Sequence, residues 1–329
     1  MSSTNSAKDS EILLLTKNDS NDFTDLLINC FGEGLERNRV NLDEVAKIMR
    51  KINKPVYRFM MKIMNIKMVN YGIRRDGKLV SALTLSMEKK NGNIGNVMTH
   101  PDFRRQGLAK KLFRHAVSVG KSNGLKKITL DVHAQNSGAI KLYKKEGFKN
   151  YYHTGRLVLN LLEKEIPITK DNVILKDINK IDFDLYDSIL NDCYPRDMLK
   201  DRNRRKMAKD YIPSAFIRFI AGKAAGQKIF FYEMNDVRDE KPKGYLNASI
   251  SRIEEGIKLS SPLVKNENVD LVIPAIAKII PLIDRDTKIV SLNLSMHRKG
   301  LIKKLVKAGF ELTDESLYMN IKFDKENGK

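Results

Sequence analysis

A basic loop between a strand and a helix contains the residues whose types and spacing could do chemistry. The strand pattern ends at His100-Pro101, and Gly107-Leu108-Ala109 begins an amphipathic pattern that predicts a helix. The first N–H groups of a helix have no carbonyl partners, so together they form a binding place for anions. Arg104 and Arg105 add positive charge, and Gly107 lets a phosphate group approach the backbone. The loop therefore predicts a phosphate-binding site.

The charge of the chain suits an anionic ligand at this loop. The net charge is +20, and residues 101–160 contain 13 Lys and Arg residues against three Asp and Glu residues. Such a field raises the association rate of a phosphorylated cofactor, and it also attracts nucleic acid. A high lysine content along the whole chain is the alternative explanation of most of the excess. Charge alone does not separate these readings.

A second motif follows the loop at helical spacing. It reads Asn136-x-x-Ala139-x-x-x-Tyr143-x-x-x-Gly147-Phe148, and the loop itself reads Arg104-x-x-Gly107-x-Ala109. Together they resemble the GNAT acyltransferase superfamily, whose acetyl-coenzyme A loop has the signature Gln/Arg-x-x-Gly-x-Gly/Ala. The resemblance implies transfer of an acetyl group from acetyl-coenzyme A (acetyl-CoA) to a primary amine, by direct attack in a ternary complex.

The resemblance also implies where the cofactor binds. Backbone N–H groups of the loop would hold the diphosphate, with Arg104 in the first signature position. The strand end, residues 97–99, would pair with the pantetheine arm, and the N–H of Val97 or Met98 would stabilise the oxyanion. The predicted cofactor-binding residues are Val97, Met98, Thr99, Arg104, Arg105, Gln106, Gly107, Leu108, Ala109, Lys110, Asn136 and Tyr143.

Tyr143 is the predicted catalytic residue, because the resemblance places it where many relatives use a tyrosine to protonate the departing thiolate. A phenol with an ordinary pKa near 10 is protonated at neutral pH and able to donate. The alternative is that its ring only packs on the strand beneath it. Asn136 would contact the cofactor arm or would only cap its helix.

The general base is not identified by the sequence. Many relatives carry a glutamate on the strand before the loop, but residues 93–99 contain no carboxylate. Candidates are Glu88, His100, Asp131 and His133, or a water relay without a dedicated residue. His100 could instead be a turn residue, and His133 a solvent-facing one. No metal site is expected, because five scattered histidines and two distant cysteines form no ligand set.

Hydrophobic periodicity predicts the elements around these motifs. An asparagine, Asn41, is the expected N-cap of a helix, and Asn91-Gly92-Asn93 is the expected turn before the strand that leads to the loop. Five methionines could form an adaptable acceptor pocket or could simply pack in the core. The predicted strands are 11–16, 67–73, 78–88, 94–99, 128–132 and 156–161, the predicted helices are 21–31, 42–52, a helix from 108 to about 122 and a short one before 147, and the methionines are Met49, Met60, Met61, Met64 and Met68.

The sequence repeats itself with an offset of 162 residues. This offset places Gly309-Phe310 on Gly147-Phe148 and Leu292 on Leu130. The second copy lacks the loop chemistry, since Val264–Val269 contains a glutamate and neither the arginine pair nor the glycine. Two tandem GNAT-like α/β domains are therefore predicted, each a mixed, mostly antiparallel twisted sheet flanked by helices. The expected division is a disordered tail at 1–10, a GNAT domain with the acetyl-CoA site at 11–163, a linker at 164–172 and a degenerate GNAT-like domain at 173–325.

The remaining expectations concern the setting of the protein. Cys30 and Cys193 occupy similar places in the two copies and are predicted to be unbonded, buried small groups. Residues 1–10 have no apolar segment, so no signal peptide is predicted, and a cytoplasmic protein without membrane contact is expected. The predicted partner is an amine-bearing small molecule or a peptide.

Two other functions stay open at this point. The chain could be an acyl-CoA sensor or scaffold without turnover, which the missing carboxylate favours. It could also bind nucleic acid through the surface around Arg104, Lys126, Lys127 and Lys144, although the aromatics of a single-strand platform are missing there. The acceptor, the acyl group, the role of the second domain and the oligomeric state are not determined by the sequence.

Overall fold

The computed structural model describes residues 11–51, 66–167, 172–200 and 202–323. Met60, Met61, Met64, the predicted tail and residues 168–171 of the predicted linker lie outside them. The chain forms two compact units. Unit 1 contains residues 1–132, 136–150 and 318–329, and unit 2 contains residues 133–135 and 151–317. This division by contacts differs from a division along the sequence, because the end of the last strand belongs to unit 1.

Unit 1 is built on a mixed sheet. Its strands lie side by side in chain order, and the end of the last strand of the protein follows them. The first three pairings are antiparallel and the fourth is parallel. The strands are β1 (Leu13–Leu15), β2 (Ile66–Arg75), β3 (Lys78–Glu88), β4 (Asn91–Thr99) and β5 (Lys127–His133), whose last residue is counted in unit 2.

The described residues of unit 1 form four helices near the positions that the sequence pattern predicts, and the first extends beyond the predicted 21–31. They are α1 (Ser20–Arg37), α2 (Leu42–Lys51), α3 (Leu108–Ser122) and α4 (Ser137–Lys145). The apolar side of α1 joins Met98 and other strand residues in one core cluster. The predicted N-cap of α2 is confirmed, because Asn41 Oδ1 accepts a hydrogen bond from the N–H of Glu44 at 3.1 Å.

The predicted turn at residues 91–93 is wrong. These residues are the start of β4, and the chain reverses one step earlier, at Lys89, whose φ is +53°. The glycine there has a packing reason instead. A Cβ on Gly92 would lie 2.6 Å from the side chain of Leu125, so a side chain would not fit. A glycine between polar residues is typical of a turn, and its contact with Leu125 is visible only in the folded chain.

Unit 2 contains both parallel and antiparallel strand pairs and has its own helices. The strands are β6 (Lys149–Asn160), β7 (Val173–Asp177), β8 (Lys228–Asp236), β9 (Pro242–Ile250), β10 (Ile257–Leu259), β11 (Leu263–Val264), β12 (Ile289–Ser295) and β13 (Glu311–Lys322), and the helices are α5 (Phe183–Cys193), α6 (Arg196–Leu199), α7 (Arg204–Tyr211), α8 (Ala215–Ala225), α9 (Val272–Ile283) and α10 (Lys299–Lys307). The order of these strands is β13, β6, β12, β10, β9, β8, β7, with β11 beside β9.

The internal repeat is confirmed by the elements. A shift of 162 residues carries the bounds of β5 onto β12, of α4 onto α10 and of β6 onto β13. The glycine after each of these helices has a positive φ, +87° at Gly147 and +101° at Gly309, and the phenylalanine that follows is buried in both units. The chain therefore has the predicted mixed α/β architecture. Among the described residues, no helix is both long and apolar enough to cross a lipid bilayer.

Candidate cofactor and acceptor site

A bulge in β4 and the divergence of two strands create the centre of the site. Ala82 pairs with Met98 and Thr84 pairs with Gly95, so a single β3 residue faces both Asn96 and Val97. Asn96 has a φ of +49°, in the left-handed region that asparagine tolerates better than most residues. The bulge turns backbone groups of β4 out of the regular ladder, which is what a strand needs to present an N–H to a ligand.

The strands β4 and β5 pair only at their beginnings. The parallel register runs from Asn91 with Lys127 to Asn93 with Thr129. The ends of both strands therefore lie at one edge of the sheet with a gap between them, and the predicted pantetheine-binding residues 97–99 are on one side of this gap. The loop after β4 and the N-cap of α4 after β5 are at the same edge, because the two strands are parallel.

The loop after β4 leads into an open helix N-terminus. Arg105 and Gly107 both have left-handed backbone conformations, with φ of +65° and +76°. The first hydrogen bond into α3 is donated by the N–H of Lys111 to the carbonyl of Gly107 at 3.0 Å, so the three preceding N–H groups have no partner within the helix. The first turn contains no acidic residue, and a Cβ on Gly107 would meet nothing within 4 Å. The residues present thus fit a diphosphate.

The side chains of the loop take different directions. Arg104 Nε donates to the carbonyl of Thr99 at 3.2 Å, which ties the loop to the end of β4. Its guanidinium also lies near the Cys30 thiol, where burial raises the pKa of the thiol and the arginine partly opposes this. Arg105 and Gln106 are exposed, whereas Leu108 is buried and can offer only its backbone.

Tyr143 lies in an aromatic cluster under the loop helix. Its ring is 4.8 Å from that of Phe113 of α3, and the ring of Phe148 is 5.2 Å from Phe113. Burial, helped by the negative charge of Asp131, raises the pKa of Tyr143 to about 12. The ring thus packs against helix α3, where the sequence offered packing on a strand as the alternative, and the phenol is fully protonated at neutral pH.

Asn136 is the N-cap of α4. Its Oδ1 accepts a hydrogen bond from the N–H of Ala139 at 3.1 Å. The capping role is thus present, and a contact of Asn136 with the cofactor stays a prediction.

A small cleft of unit 1 borders the bulge. It has a volume of about 70 Å³, is partly open to solvent, and is lined by both apolar and polar side chains. Met49 and Met68, two of the predicted pocket methionines, are among them. The lining residues are Leu15, Thr16, Asp19, Ser20, Phe23, Thr24, Met49, Met68, Asn70, Thr84 and Asn96. Since Asn96 belongs to the bulge, this cleft reaches the place where backbone groups leave the ladder.

Known proteins match this half of the chain. The profile of the Acetyltransferase (GNAT) family matches residues 50–148. The ribosomal protein bS18-alanine N-acetyltransferase of Escherichia coli strain K12 is 29% identical over 92 residues, which are 26% of this chain and 62% of that protein. A putative enzyme of the same description from Bacillus subtilis strain 168 is 34% identical over 86 residues, which are 24% of this chain and 57% of that protein.

Over residues 50–148 the chain is therefore similar to the GNAT acetyltransferase family. The chain spans less than two thirds of the length of these two curated relatives. A solved tandem GNAT protein from the clavulanic acid biosynthesis pathway resembles the whole chain, with a TM-score of 0.63, 14% identity, and coverage of 95% of this chain and 98% of that one. At this identity the likeness is one of fold, and it gives the architecture of two tandem GNAT folds.

The four candidates for the general base do not lie together in the structure. Glu88 pairs with Asn91 at the opposite end of β4 from Thr99. His100 caps the turn after β4, and its Nδ1 accepts a hydrogen bond from the N–H of Asp102 at 3.4 Å. The alternative that His100 is a turn residue is therefore confirmed. Asp131 is exposed on β5.

His133 is also exposed, and it is engaged by a carboxylate. Its Nδ1 lies 2.9 Å from the carboxylate of Asp314. None of the four candidates is among the residues that line the cleft beside the bulge.

Sequence reasoning missed the polar side chains of that cleft. Asp19 follows Thr16 at the spacing of a capping box, a signal that indicates only a helix start. Its partner Arg74 is 55 residues away, and the hydrogen-bonded pair Thr84 and Asn70 comes from different strands. Only the pairing of β2 with β3 and the packing of α1 bring these residues together in the cleft beside the bulge.

Proposed function

We propose that this protein is an acetyl-CoA-dependent N-acetyltransferase that transfers an acetyl group to a primary amine by direct attack in a ternary complex. The observation that carries the proposal is the gap between β4 and β5 beside a helix N-terminus without acidic residues. An anionic, extended cofactor is what such a pair of features suits. The match of residues 50–148 to the GNAT family profile and the similarity to N-acetyltransferases support it.

The cofactor would be held mainly by backbone groups. N–H groups from Arg105 to Lys110 surround the N-terminus of α3, where the helix dipole also favours negative charge. Arg104 donates a hydrogen bond to the carbonyl of Thr99 and so holds the loop against the end of β4. It would therefore contribute both to the shape of the phosphate-binding loop and to its positive charge. Bound there, acetyl-CoA supplies an acetyl group that is already activated as a thioester.

The bulge would supply the backbone hydrogen-bond donor that stabilises the oxyanion. An N–H at Val97 or Met98, next to Asn96, would donate to the oxygen that becomes negative when the amine attacks the carbonyl carbon. A backbone donor fixed by the sheet needs no reorganisation during the reaction, so it stabilises the charge as soon as the charge appears.

Tyr143 would assist the leaving sulfur. With a pKa of about 12 its phenol is a weaker acid than a thiol, whose usual pKa is about 8.5, so complete transfer of its proton to the thiolate is unfavourable. A hydrogen bond from the phenol to the developing thiolate remains favourable. We therefore assign Tyr143 the role of hydrogen-bond donor to the departing thiolate, with the proton finally taken from solvent.

Water would remove the proton from the amine. The four candidate bases lie outside the cleft lining, and the described part of β4 offers no carboxylate after the bulge. A neutral amine can attack without a dedicated base, so the rate should rise with pH as more of the acceptor loses its proton. The pH profile should therefore follow the pKa of the amine used.

The test combines binding and turnover. Saturating acetyl-CoA should raise the melting temperature, and a panel of amines and peptides should show thiol release that depends on the acceptor. Absence of a melting shift would overturn the proposal. A shift without thiol release from any acceptor would instead favour an acyl-CoA sensor, the non-catalytic alternative.

A further inference from the structure

The cleft beside the bulge contains an ionised carboxylate in a chain that is otherwise strongly basic. Asp19 lines the cleft, and its side chain is 21% exposed. Burial alone would raise the pKa of Asp19, but hydrogen bonds from Thr16 and Arg74 outweigh burial and lower the pKa below its usual range. Asp19 is therefore negatively charged at neutral pH.

The neighbours of Asp19 leave this charge partly uncompensated. Arg74 Nη2 donates to Asp19 at 2.7 Å and to Asp22 at 2.6 Å, so one guanidinium serves two carboxylates. Arg74 Nη1 donates to the carbonyl of Gly77 at 2.6 Å, which uses its other end. The group of three side chains has one excess negative charge, and of its two carboxylates Asp19 is the one that lines the cleft.

A row of uncharged polar groups lies along the same cleft at the bulge. Asn96 Nδ2 donates to Thr84 Oγ1 at 3.2 Å, and Thr84 Oγ1 donates to Asn70 Oδ1 at 2.8 Å. This row crosses three strands, so its positions are set by the sheet rather than by flexible loops. An acceptor in this cleft therefore lies beside a negative carboxylate as well as amide and hydroxyl groups.

We propose that the acceptor is a primary amine without a carboxylate beside its amino group, bound in this cleft as an ammonium ion against Asp19. The inference rests on the proposed function and names its class of acceptor. Asp19 attracts the ammonium group and repels a carboxylate at the neighbouring carbon, because like charges at close range in a partly buried site interact strongly. A free α-amino acid is therefore rejected, while a diamine or a peptide N-terminus carries no such carboxylate.

The test uses pairs of amines that differ by one carboxylate. Cadaverine is compared with lysine, and alaninamide with alanine, for binding in the absence of acetyl-CoA and for kcat/KM in its presence. We expect the carboxylate-free member to be favoured at least tenfold in one pair or both. Preference for cadaverine points to a diamine and preference for alaninamide to a peptide N-terminus.

Asp19→Asn and Asp25→Asn separate the local charge from the general one. Both substitutions remove one negative charge from the same part of the chain, but Asp25 is exposed on α1 and is not part of the cleft lining. Asp19→Asn should reduce the preference to less than threefold, by raising KM for the favoured amine. Asp25→Asn should leave the preference within twofold of that of the unmodified protein.

The outcomes distinguish this inference from the proposed function. Equal use of both members of each pair, an equal effect of the two variants, or no binding of any of the four amines would overturn the inference. The melting shift caused by acetyl-CoA is recorded in every variant. A retained shift with lost amine preference indicates that only acceptor recognition has changed, whereas no shift in any protein would overturn the proposed function itself.

Discussion

Equivalent backbone segments of the two units differ in whether side chains of the same unit occupy them. In unit 2, β10 pairs antiparallel with β9 and parallel with β12, as β4 does with β3 and β5 in unit 1. A side chain fills the corresponding place in unit 2. Arg298 is 3% exposed, and its Nη1 and Nη2 donate to the carbonyls of Pro262 and Val264 at 2.7 and 2.8 Å. These carbonyls lie in the segment that continues β10 toward the counterpart of the cofactor loop.

One N–H group of the counterpart loop, that of Asn266, is also paired with a side chain of unit 2. Asp192 Oδ2 accepts from the N–H of Asn266 at 2.8 Å, at the start of the short 3₁₀ helix that leads to α9. Glu267 adds a second carboxylate in that first turn. Unit 1 has neither group in the first turn of α3. Carboxylates thus occupy in unit 2 the kind of site that unit 1 leaves for an anion.

The comparison separates what the scaffold requires from what a ligand requires. Both units keep the strand, the helix and the glycine turn that the repeat carries, so the scaffold does not depend on an open cradle. An arginine lies next to a cysteine in each unit as well, Arg104 beside Cys30 and Arg298 beside Cys193. In unit 1 the arginine comes from the loop, and in unit 2 it comes from the N-cap of α10 and fills the site. In unit 2, internal hydrogen bonds thus occupy the groups that unit 1 leaves open.

The largest effect is expected when unit 1 receives a carboxylate like that of unit 2. Gly107→Glu should abolish the melting shift caused by acetyl-CoA and reduce thiol release below detection, since a negative charge at the N-terminus of α3 repels the diphosphate. Gly124→Glu is the matched control. Gly124 also has a positive φ, +72°, with nothing near its Cβ position, and it lies at the other end of the same helix. An equal loss in both variants would mean that backbone strain, and not charge at the cradle, is responsible.

Removing the arginine of unit 2 should destabilise the protein without creating a second site. Arg298→Met removes the charged donor from two buried carbonyls and leaves them only the weak thiol donor of Cys193, so the free energy of unfolding should fall by about 2 to 4 kcal/mol. Urea unfolding measures this, and Arg285→Met, at an exposed position, should change it by less than about 0.5 kcal/mol. The stoichiometry of acetyl-CoA binding, measured by titration calorimetry, should stay at one. A second equivalent bound would show that Arg298 alone closes unit 2.

Tyr143→Phe should slow turnover and spare binding. The ring keeps its contacts with Phe113, while the donor to the departing thiolate is lost, so kcat should fall by about tenfold to a hundredfold with little change in acetyl-CoA affinity. The protonated phenol is the active form, and its raised pKa of about 12 means that this form is lost only above pH 10. A fall in kcat between pH 7 and 9 that disappears in Tyr143→Phe would contradict this role.

The smallest effect is expected at the N-cap of α4. Asn136→Ala should cost about 1 kcal/mol of stability, because the N–H of Ala139 loses its acceptor. The equivalent residue of unit 2, Arg298, makes no capping bond with its side chain, so the two copies differ here too. Unchanged KM for acetyl-CoA would assign Asn136 to capping alone, and an increase of more than about fivefold would assign it a cofactor contact.

Much of the fold was accessible from the sequence because its signals are local. The apolar residues of α3 recur at helical spacing, and Asp76-Gly77 lies between two strand patterns as a hairpin turn does; both residues have positive φ. The repeat was visible because strand, helix and glycine turn keep their spacing over 162 residues. The prediction of a turn at residues 91–93 was wrong for a non-local reason. The glycine at position 92 leaves room for the side chain of Leu125, which is distant in the sequence.

By itself, the sequence determined the loop and helix that suit an anion, the order of elements around them, and the absence of those loop residues from the second copy. The tertiary structure decided the bulge at Asn96, the direction of Arg104, the place of Asp19 in the cleft beside the bulge, and the burial of Arg298 in unit 2. The physical reason is distance along the chain. A local pattern of residue types specifies a helix or a turn, whereas the register of two strands and the hydrogen bonds of a buried arginine depend on groups tens of residues apart.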